Sequence, residues 1–92
     1  MILKLNGSHD IENLRHYPAE SVDKLRALLA LGTPAIPDPH RKDFYDVQNG
    51  DRVFYIHLCP SGRVLLLAAW RKNTAHMPVP GRQLVAEACA SR

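Results

Sequence analysis

The sequence feature that most constrains the fold is NGDRVFYIHLCPSGRVLLLAAWRK, residues 49–72, in which two apolar runs are joined by a Pro-Ser-Gly turn. Its opening Asn-Gly pair tolerates the positive φ angles of a type I′ turn, which predicts a tight hairpin. The last run is apolar on both faces, as is typical of a central strand covered on both sides. The stretch therefore predicts an antiparallel meander of three strands, at 44–48, 52–58 and 63–70.

The middle strand of this meander has two distinct faces, because side chains alternate along a strand. One face is predicted to carry Val53, Tyr55 and His57. The other is predicted to carry Arg52, Phe54, Ile56 and Leu58.

A helix at 18–31 is the clearest covering element. Its apolar stripe at helical spacing consists of Val22, Leu25, Leu28 and Leu29. Pro18 suits the first turn of a helix, and Gly32 suits its C-terminal end. The helix is predicted to cover one side of the sheet.

The remaining segments have weaker patterns. We expect a strand at 2–5, a short helix at 9–16 with Ser8 as its N-cap, and a C-terminal helix at 81–90. Three prolines lie in TPAIPDPHRKD, residues 33–43, and exclude helix and central strand, so this segment is predicted to cross the surface. The predicted fold class is α+β, with N-terminal helices packed on a small, mainly antiparallel sheet and a short C-terminal helix.

Length and composition predict one globular domain over 1–92. The chain is 46% hydrophobic and 23% charged, which argues against wholesale disorder. No apolar run reaches the ~18 residues of a membrane helix, and MILKLNGSHD lacks the pattern of a signal peptide. We therefore expect a cytoplasmic protein with no membrane partner.

The two cysteines, Cys59 and Cys89, lack the CxxC or paired Cys/His spacing of a zinc site. A disulfide between them is compatible with the sequence, but a cytoplasmic location favours two reduced thiols. No metal and no cofactor are predicted.

Positive charge is concentrated in the second half of the chain. Residues 47–92 hold six Lys/Arg and two Asp/Glu, whereas residues 1–46 hold six Lys/Arg and seven Asp/Glu. Clustered positive charge attracts phosphate, so an anionic partner is one interpretation. A mildly basic solvated surface is the other.

The order of these elements and several short segments resemble the RelE/ParE toxin superfamily, most closely its HigB-like, phage-derived branch. The segments are FYDV at 44–47, DRVFYIH at 51–57 and GRVLLLAAWRKNT at 62–74, followed by prolines and RQLVAEACASR. The family pattern for the third is Gly-x-Val-x-Leu-Leu-x-x-Phe-x-Lys-Lys-Thr. The chain departs from the family in three places: Val47-Gln48 stands instead of Leu-Arg, an extra residue precedes Thr74, and the first strand and helix pair are short.

The resemblance implies a RelE-like domain that is the toxin of a type II toxin–antitoxin pair. Its partners would be a cognate antitoxin and mRNA on the ribosome. Its activity would be that of a metal-independent mRNA interferase, in which the RNA 2′-hydroxyl attacks the adjacent phosphate. Such an endoribonuclease needs positive groups around the phosphate and groups that take and give a proton.

Candidate site residues follow from the resemblance and from residue chemistry. The candidate catalytic residues are Arg52, Arg71, Lys72, His57 and His76. The candidate RNA-binding residues are Arg41, Lys42, Arg63 and Trp70. Each also has a structural interpretation: the arginines and lysines as hairpin or loop charges, His57 as a half-buried strand histidine, and Trp70 as a core residue.

Two other functions are compatible with the sequence. One is a non-catalytic or degenerate RelE/ParE-fold protein that binds a protein partner, which the missing arginine after Tyr45 favours. The other is a small α+β domain of unrelated function. No Ser/His/Asp or Cys/His catalytic arrangement and no glycine-rich phosphate loop is found in the sequence.

Overall fold

The computed structural model describes residues 10–72 and 81–90, and the backbone of residues 3–4. Its elements are β1 Leu3–Lys4, β2 Ile11–Asn13, α1 Ala19–Ala30, β3 Pro34–Pro37, β4 Phe44–Asn49, β5 Arg52–Leu58, β6 Val64–Arg71 and α2 Arg82–Ala90. The strands form one sheet in the order β1-β3-β4-β5-β6-β2. All neighbours are antiparallel except β2, which is parallel to β6. The fold is therefore α+β with a mainly antiparallel sheet, as predicted.

The β4–β5–β6 meander forms where it was predicted, but its first turn differs in type. Asn49 pairs with Arg52, so Gly50 and Asp51 are the two central turn residues. Of these two only Gly50 has a positive φ, +59°. A positive φ at the first central position alone is the type II′ pattern, so the predicted type I′ turn is wrong.

A β-bulge interrupts the pairing of β5 with β6. Tyr55 pairs with Ala68 and Ile56 pairs with Leu66, which leaves Leu67 as the extra residue. Leu67 and Ala68 consequently pack on the same side of the sheet, although they are consecutive. The bulge shifts which residues of β6 face each side of the sheet. Because β6 is apolar on both faces, this shift places no polar side chain in the core.

Hydrophobic clusters cover both faces of the sheet. On one face, Phe54, Ile56 and Leu66 pack against the apolar stripe of α1. On the other, residues of the central strands pack against Val85 and Ala88 of α2. The prediction that β6 is a central strand covered on both sides is confirmed, since Val64 to Ala68 are all buried.

Helix α1 ends in a Schellman motif. The Gly32 N–H bonds to the Leu29 carbonyl, and the Thr33 N–H bonds to the Leu28 carbonyl. Gly32 has a φ of +78°, the left-handed conformation that this motif requires. The predicted role of Gly32 as the end of the helix is confirmed.

Two predictions for the N-terminal half are wrong. Residues 9–16 do not form a helix where the structure describes them, because Ile11–Asn13 is a strand parallel to β6. The proline-rich segment does not merely cross the surface either, because Pro34–Pro37 pairs with β1 on one side and β4 on the other. Proline is tolerated there because β3 is short and its outer neighbour has only two residues.

The prediction of two reduced thiols is also wrong. A disulfide joins Cys59, in the turn after β5, to Cys89 near the end of α2, with their Cα atoms 5.5 Å apart. The bond closes a loop of about 30 residues and stabilises the fold by about 3–4 kcal/mol in the chain-entropy model. No helix in the described part of the chain is long and apolar enough to span a membrane.

The packing predicts a large difference between two apolar truncations. Phe54→Ala is expected to lower the free energy of unfolding by about 3–5 kcal/mol, because Phe54 is fully buried in the first cluster. Leu31→Ala is expected to change it by less than about 0.5 kcal/mol, because Leu31 is 82% exposed. Urea-induced unfolding measures both, and equal losses would contradict this description of the core.

Candidate functional site

The loop between β3 and β4 presents basic side chains at one end of the sheet. Asp38 fixes its entry, because its N–H bonds to the Phe44 carbonyl and its Oδ1 accepts the His40 N–H, both at 2.8 Å. Asp43 fixes its exit with a φ of +65°, a left-handed conformation that Asp tolerates better than most residues. This local structure brings Arg41 and Lys42 beside the strands.

The Phe44 ring is the platform on which the basic loop meets the sheet. The Arg41 guanidinium carbon lies 4.1 Å from the Phe44 ring centroid, a cation–π contact. The His57 ring lies beside Phe44 with the centroids 4.4 Å apart, because the two residues are register partners on β4 and β5. Arg41 and His57 are therefore held by the same aromatic side chain.

A cleft of about 340 Å³ opens at this point between the loop and helix α2. Its lining residues are Arg41, Lys42, Asp43, Phe44, His57, Arg82, Val85 and Ala86. Three of these side chains are basic, one is acidic and one is an imidazole. A second cavity of about 500 Å³ shares His57 and Asp43 with the first and extends to Cys89. The arrangement suits an anion bound beside a proton-transfer group.

The pKa of His57 is lowered from 6.5, mainly because burial disfavours the charged ring. The nearby Arg41 charge also lowers it, whereas the Asp43 carbonyl and carboxylate act in the opposite direction. Its Nδ1 is buried and has no hydrogen-bond partner among the described residues. The lowered pKa favours the neutral form of the imidazole.

A hydrogen bond between Tyr55 and Asp38 holds the start of the basic loop. The Tyr55 hydroxyl donates to Asp38 Oδ2 at 2.5 Å. Burial and this bond raise the pKa of Tyr55 to about 12, and the same bond lowers the pKa of Asp38. Tyr55 therefore stays protonated at neutral pH and holds the entry of the basic loop.

The disulfide lies close to His57. One ligand atom of each of His57, Cys59 and Cys89 lies within 4.8 Å of the other two. The sequence spacing of these residues does not suggest a cluster. The turn after β5 and the docking of α2 bring them together.

The structure separates the predicted catalytic residues into two groups. Arg52 and Arg71 are register partners at one end of the β5–β6 hairpin, and the Lys72 N–H bonds to the Asp51 carbonyl nearby. His57 is at the opposite end of β5, about 17 Å from Arg52 at ~3.4 Å per strand residue. His76 lies outside the described residues. The cleft thus combines His57 with Arg41 and Lys42, two of the predicted RNA-binding residues.

The other two predicted RNA-binding residues have structural contacts. Arg63 is buried, forms an ion pair with Glu12 of β2, and donates to the Cys89 carbonyl at 3.2 Å. Trp70 is half-buried and packs against the cluster beneath α2. These contacts favour the structural interpretation of both residues.

Sequence reasoning did not single out Arg82, Asp43 or Phe44 as site residues. Arg82 lies within residues 52–86, where every Asp, Glu, Lys or Arg position is a Lys or Arg. That pattern was a usable signal for Arg82. The roles of Asp43 and Phe44 depend on the loop conformation, for which the sequence has no comparable signal.

Comparisons of the chain with protein-family models, with curated proteins and with solved structures found no match.

The Tyr55–Asp38 bond predicts a pH-dependent loss of stability in Tyr55→Phe. The contribution of Asp38 is present above its unfolded pKa of 3.8 and is lost as the pH falls through its lower folded pKa. The contribution of Tyr55 is present below its unfolded pKa of 10.0 and is lost as the pH rises toward about 12. Tyr55→Phe should therefore be less stable by about 1 kcal/mol between roughly pH 4 and 10.

Denaturant unfolding across the pH range measures this difference, which should narrow at both extremes. Asp38→Asn serves as the second variant. When Tyr55→Phe is compared with its parent in the Asp38→Asn background, the stability difference should no longer narrow at acid pH. A difference between wild type and Tyr55→Phe that is constant with pH would contradict the assigned bond.

The contacts of Arg63 predict a stability effect that a surface arginine would not have. Arg63→Ala is expected to cost about 3 kcal/mol or more, because it leaves Glu12 and the Cys89 carbonyl without their buried partner. Arg52→Ala, at a partly exposed position of the hairpin, is the matched control and should cost less than about 1 kcal/mol. Similar unfolding midpoints for the two variants would contradict a structural role for Arg63.

Proposed function

We propose that the protein is a RelE/ParE-like toxin that cleaves mRNA on the ribosome, with the scissile phosphate bound in the cleft beside His57. The observation that carries this proposal is the position of the His57 imidazole next to three basic side chains, Arg41, Lys42 and Arg82, around one cleft. The resemblance of residues 44–74 to that superfamily supports the choice of substrate. The proposed site differs from the one expected from the resemblance alone.

The chemistry needs no metal and no protein nucleophile. The RNA 2′-oxygen forms a bond to phosphorus while the bond from phosphorus to the 5′-oxygen breaks, giving a 2′,3′-cyclic phosphate and a 5′-hydroxyl. His57 takes the 2′-hydroxyl proton, and Lys42 supplies a proton to the leaving 5′-oxygen. Arg41 and Arg82 stabilise the charge on the phosphorane-like state, where one well-placed donor lowers the barrier by about 2.7–4 kcal/mol.

The partners belong to the same proposal. An antitoxin would bind over the cleft and mask its basic groups, and the ribosome would present the mRNA in the cytoplasm. A cytoplasmic location places the Cys59–Cys89 pair in a reducing compartment, where disulfides are rare and usually transient. The disulfide would then be one of two redox forms of the protein.

The second candidate is a non-catalytic protein of the same fold that binds a protein partner. The observation that favours it is the separation of Arg52, Arg71 and Lys72 from His57 at opposite ends of β5 and β6. In this case the basic groups would contribute to binding alone.

Primer extension on cellular mRNA after brief induced expression tests the first proposal. Wild type should produce new 5′ ends within translated codons. Arg41→Ala/Lys42→Ala and His57→Gln should reduce that signal by about 100-fold or more, in line with the loss of one transition-state donor. Soluble, folded protein should be present at equal levels in each culture.

Arg71→Ala/Lys72→Ala is the matched control, because it removes the same charge from exposed positions at the other end of the hairpin. It should retain cleavage. Loss of cleavage in this control alone would place the site at the hairpin end instead. No new 5′ ends with wild type would reject the endonuclease and leave the non-catalytic candidate.

A further inference from the structure

We propose that the reduced protein binds one zinc ion through His57, Cys59 and Cys89. The three residues come from the end of β5, the turn after it and helix α2, and each offers a nitrogen or sulfur ligand within 4.8 Å of the other two. This inference does not depend on RNA binding or on cleavage.

The spacing of the ligand atoms is close to that of a zinc site. With bonds of about 2.0–2.3 Å, tetrahedral geometry places ligand atoms roughly 3.5–3.8 Å apart. The nitrogen must therefore approach the sulfurs by at most about 1.3 Å, and the two sulfurs must separate from bonding distance. Cys89 lies in the last turn of α2, where helix ends adjust readily.

One nitrogen of the His57 ring is available as a metal ligand. The buried Nδ1 has no hydrogen-bond partner among the described residues, and buried polar atoms are normally paired. A zinc ligand must be the neutral ring.

Zinc binding requires that the disulfide be reduced first. Two molecules of a thiol reductant give up two electrons and two protons, the Cys59–Cys89 bond breaks, and the reductant leaves as its own disulfide. Zinc then replaces the two thiol protons, which are released to solvent, and binds both thiolates. The oxidised and zinc-bound forms are mutually exclusive.

The fourth coordination position would face open space. The cavity of about 500 Å³ beside His57 and Cys89 also includes Asp43 and Ser61. Three protein ligands with a solvent-facing fourth position are typical of open zinc sites rather than closed structural ones. Water would complete the coordination.

The test is metal titration of the full-length chain in its oxidised and reduced forms. Protein reduced with a phosphine and freed of reductant without oxygen is titrated with Co²⁺, whose visible absorption reports tetrahedral thiolate coordination, and then with Zn²⁺ to displace it. Reduced wild type should bind one ion, and the oxidised form should bind at least 100-fold more weakly. Near-UV circular dichroism follows the fold in both forms.

His57→Ala is the decisive variant, since it keeps both cysteines, and it should weaken binding by at least tenfold. His40→Ala is the matched control, because His40 is an exposed loop histidine outside the cluster, and it should bind as wild type does. Equal affinity in His57→Ala, or equal binding by the oxidised form, would overturn the proposal. So would a reduced protein that binds no ion while folded, or that unfolds on reduction and is not refolded by zinc.

Discussion

The buried charge of Arg63 is the interaction on which the arrangement of the molecule depends. A guanidinium removed from water is costly unless its hydrogen bonds are replaced. Two protein groups replace the water that Arg63 loses: the Glu12 carboxylate on the edge strand β2 and the Cys89 carbonyl at the end of α2. Helix α2 carries no basic residue in its own last turn, so this arginine also supplies the positive charge that favours a helix C-terminus. One side chain thus links a sheet edge, a hairpin turn and a helix.

The position of α2 in turn determines the cleft. Arg63 and the disulfide hold its C-terminal end, and Val85 and Ala88 bury its apolar side on the sheet. This docking places Arg82 opposite the β3–β4 loop, which closes the cleft on its other side. A helix of nine residues would be marginal alone. The cleft is therefore a product of tertiary contacts, and its shape is sensitive to whatever changes those contacts.

Local patterns in the sequence predicted much of the fold but little of the site. Strand β5 and the end of α1 at Gly32 were predictable because alternation and helix termination are properties of neighbouring residues. Strand β2 was missed because Ile11 and Leu14 are three residues apart, which resembles a helical stripe, whereas the strand forms through parallel pairing with the distant β6. Residues that are close in the sequence can also lie far apart in the molecule: Arg52 and His57 are five residues apart but lie toward opposite ends of β5. A pairing across the sheet or between Cys59 and Cys89 has no local signature.

His57 is the residue on which both inferences about this protein meet. In the oxidised form its ring faces the basic cleft and has no metal ligand set beside it, since both sulfurs are engaged with each other. In a reduced form the same ring would be a neighbour of two thiols. An imidazole that coordinates zinc cannot take a proton at the coordinating nitrogen. Proton transfer at the cleft and metal binding at the cysteines would therefore compete for one side chain, and the redox state of one bond would decide which of them is available.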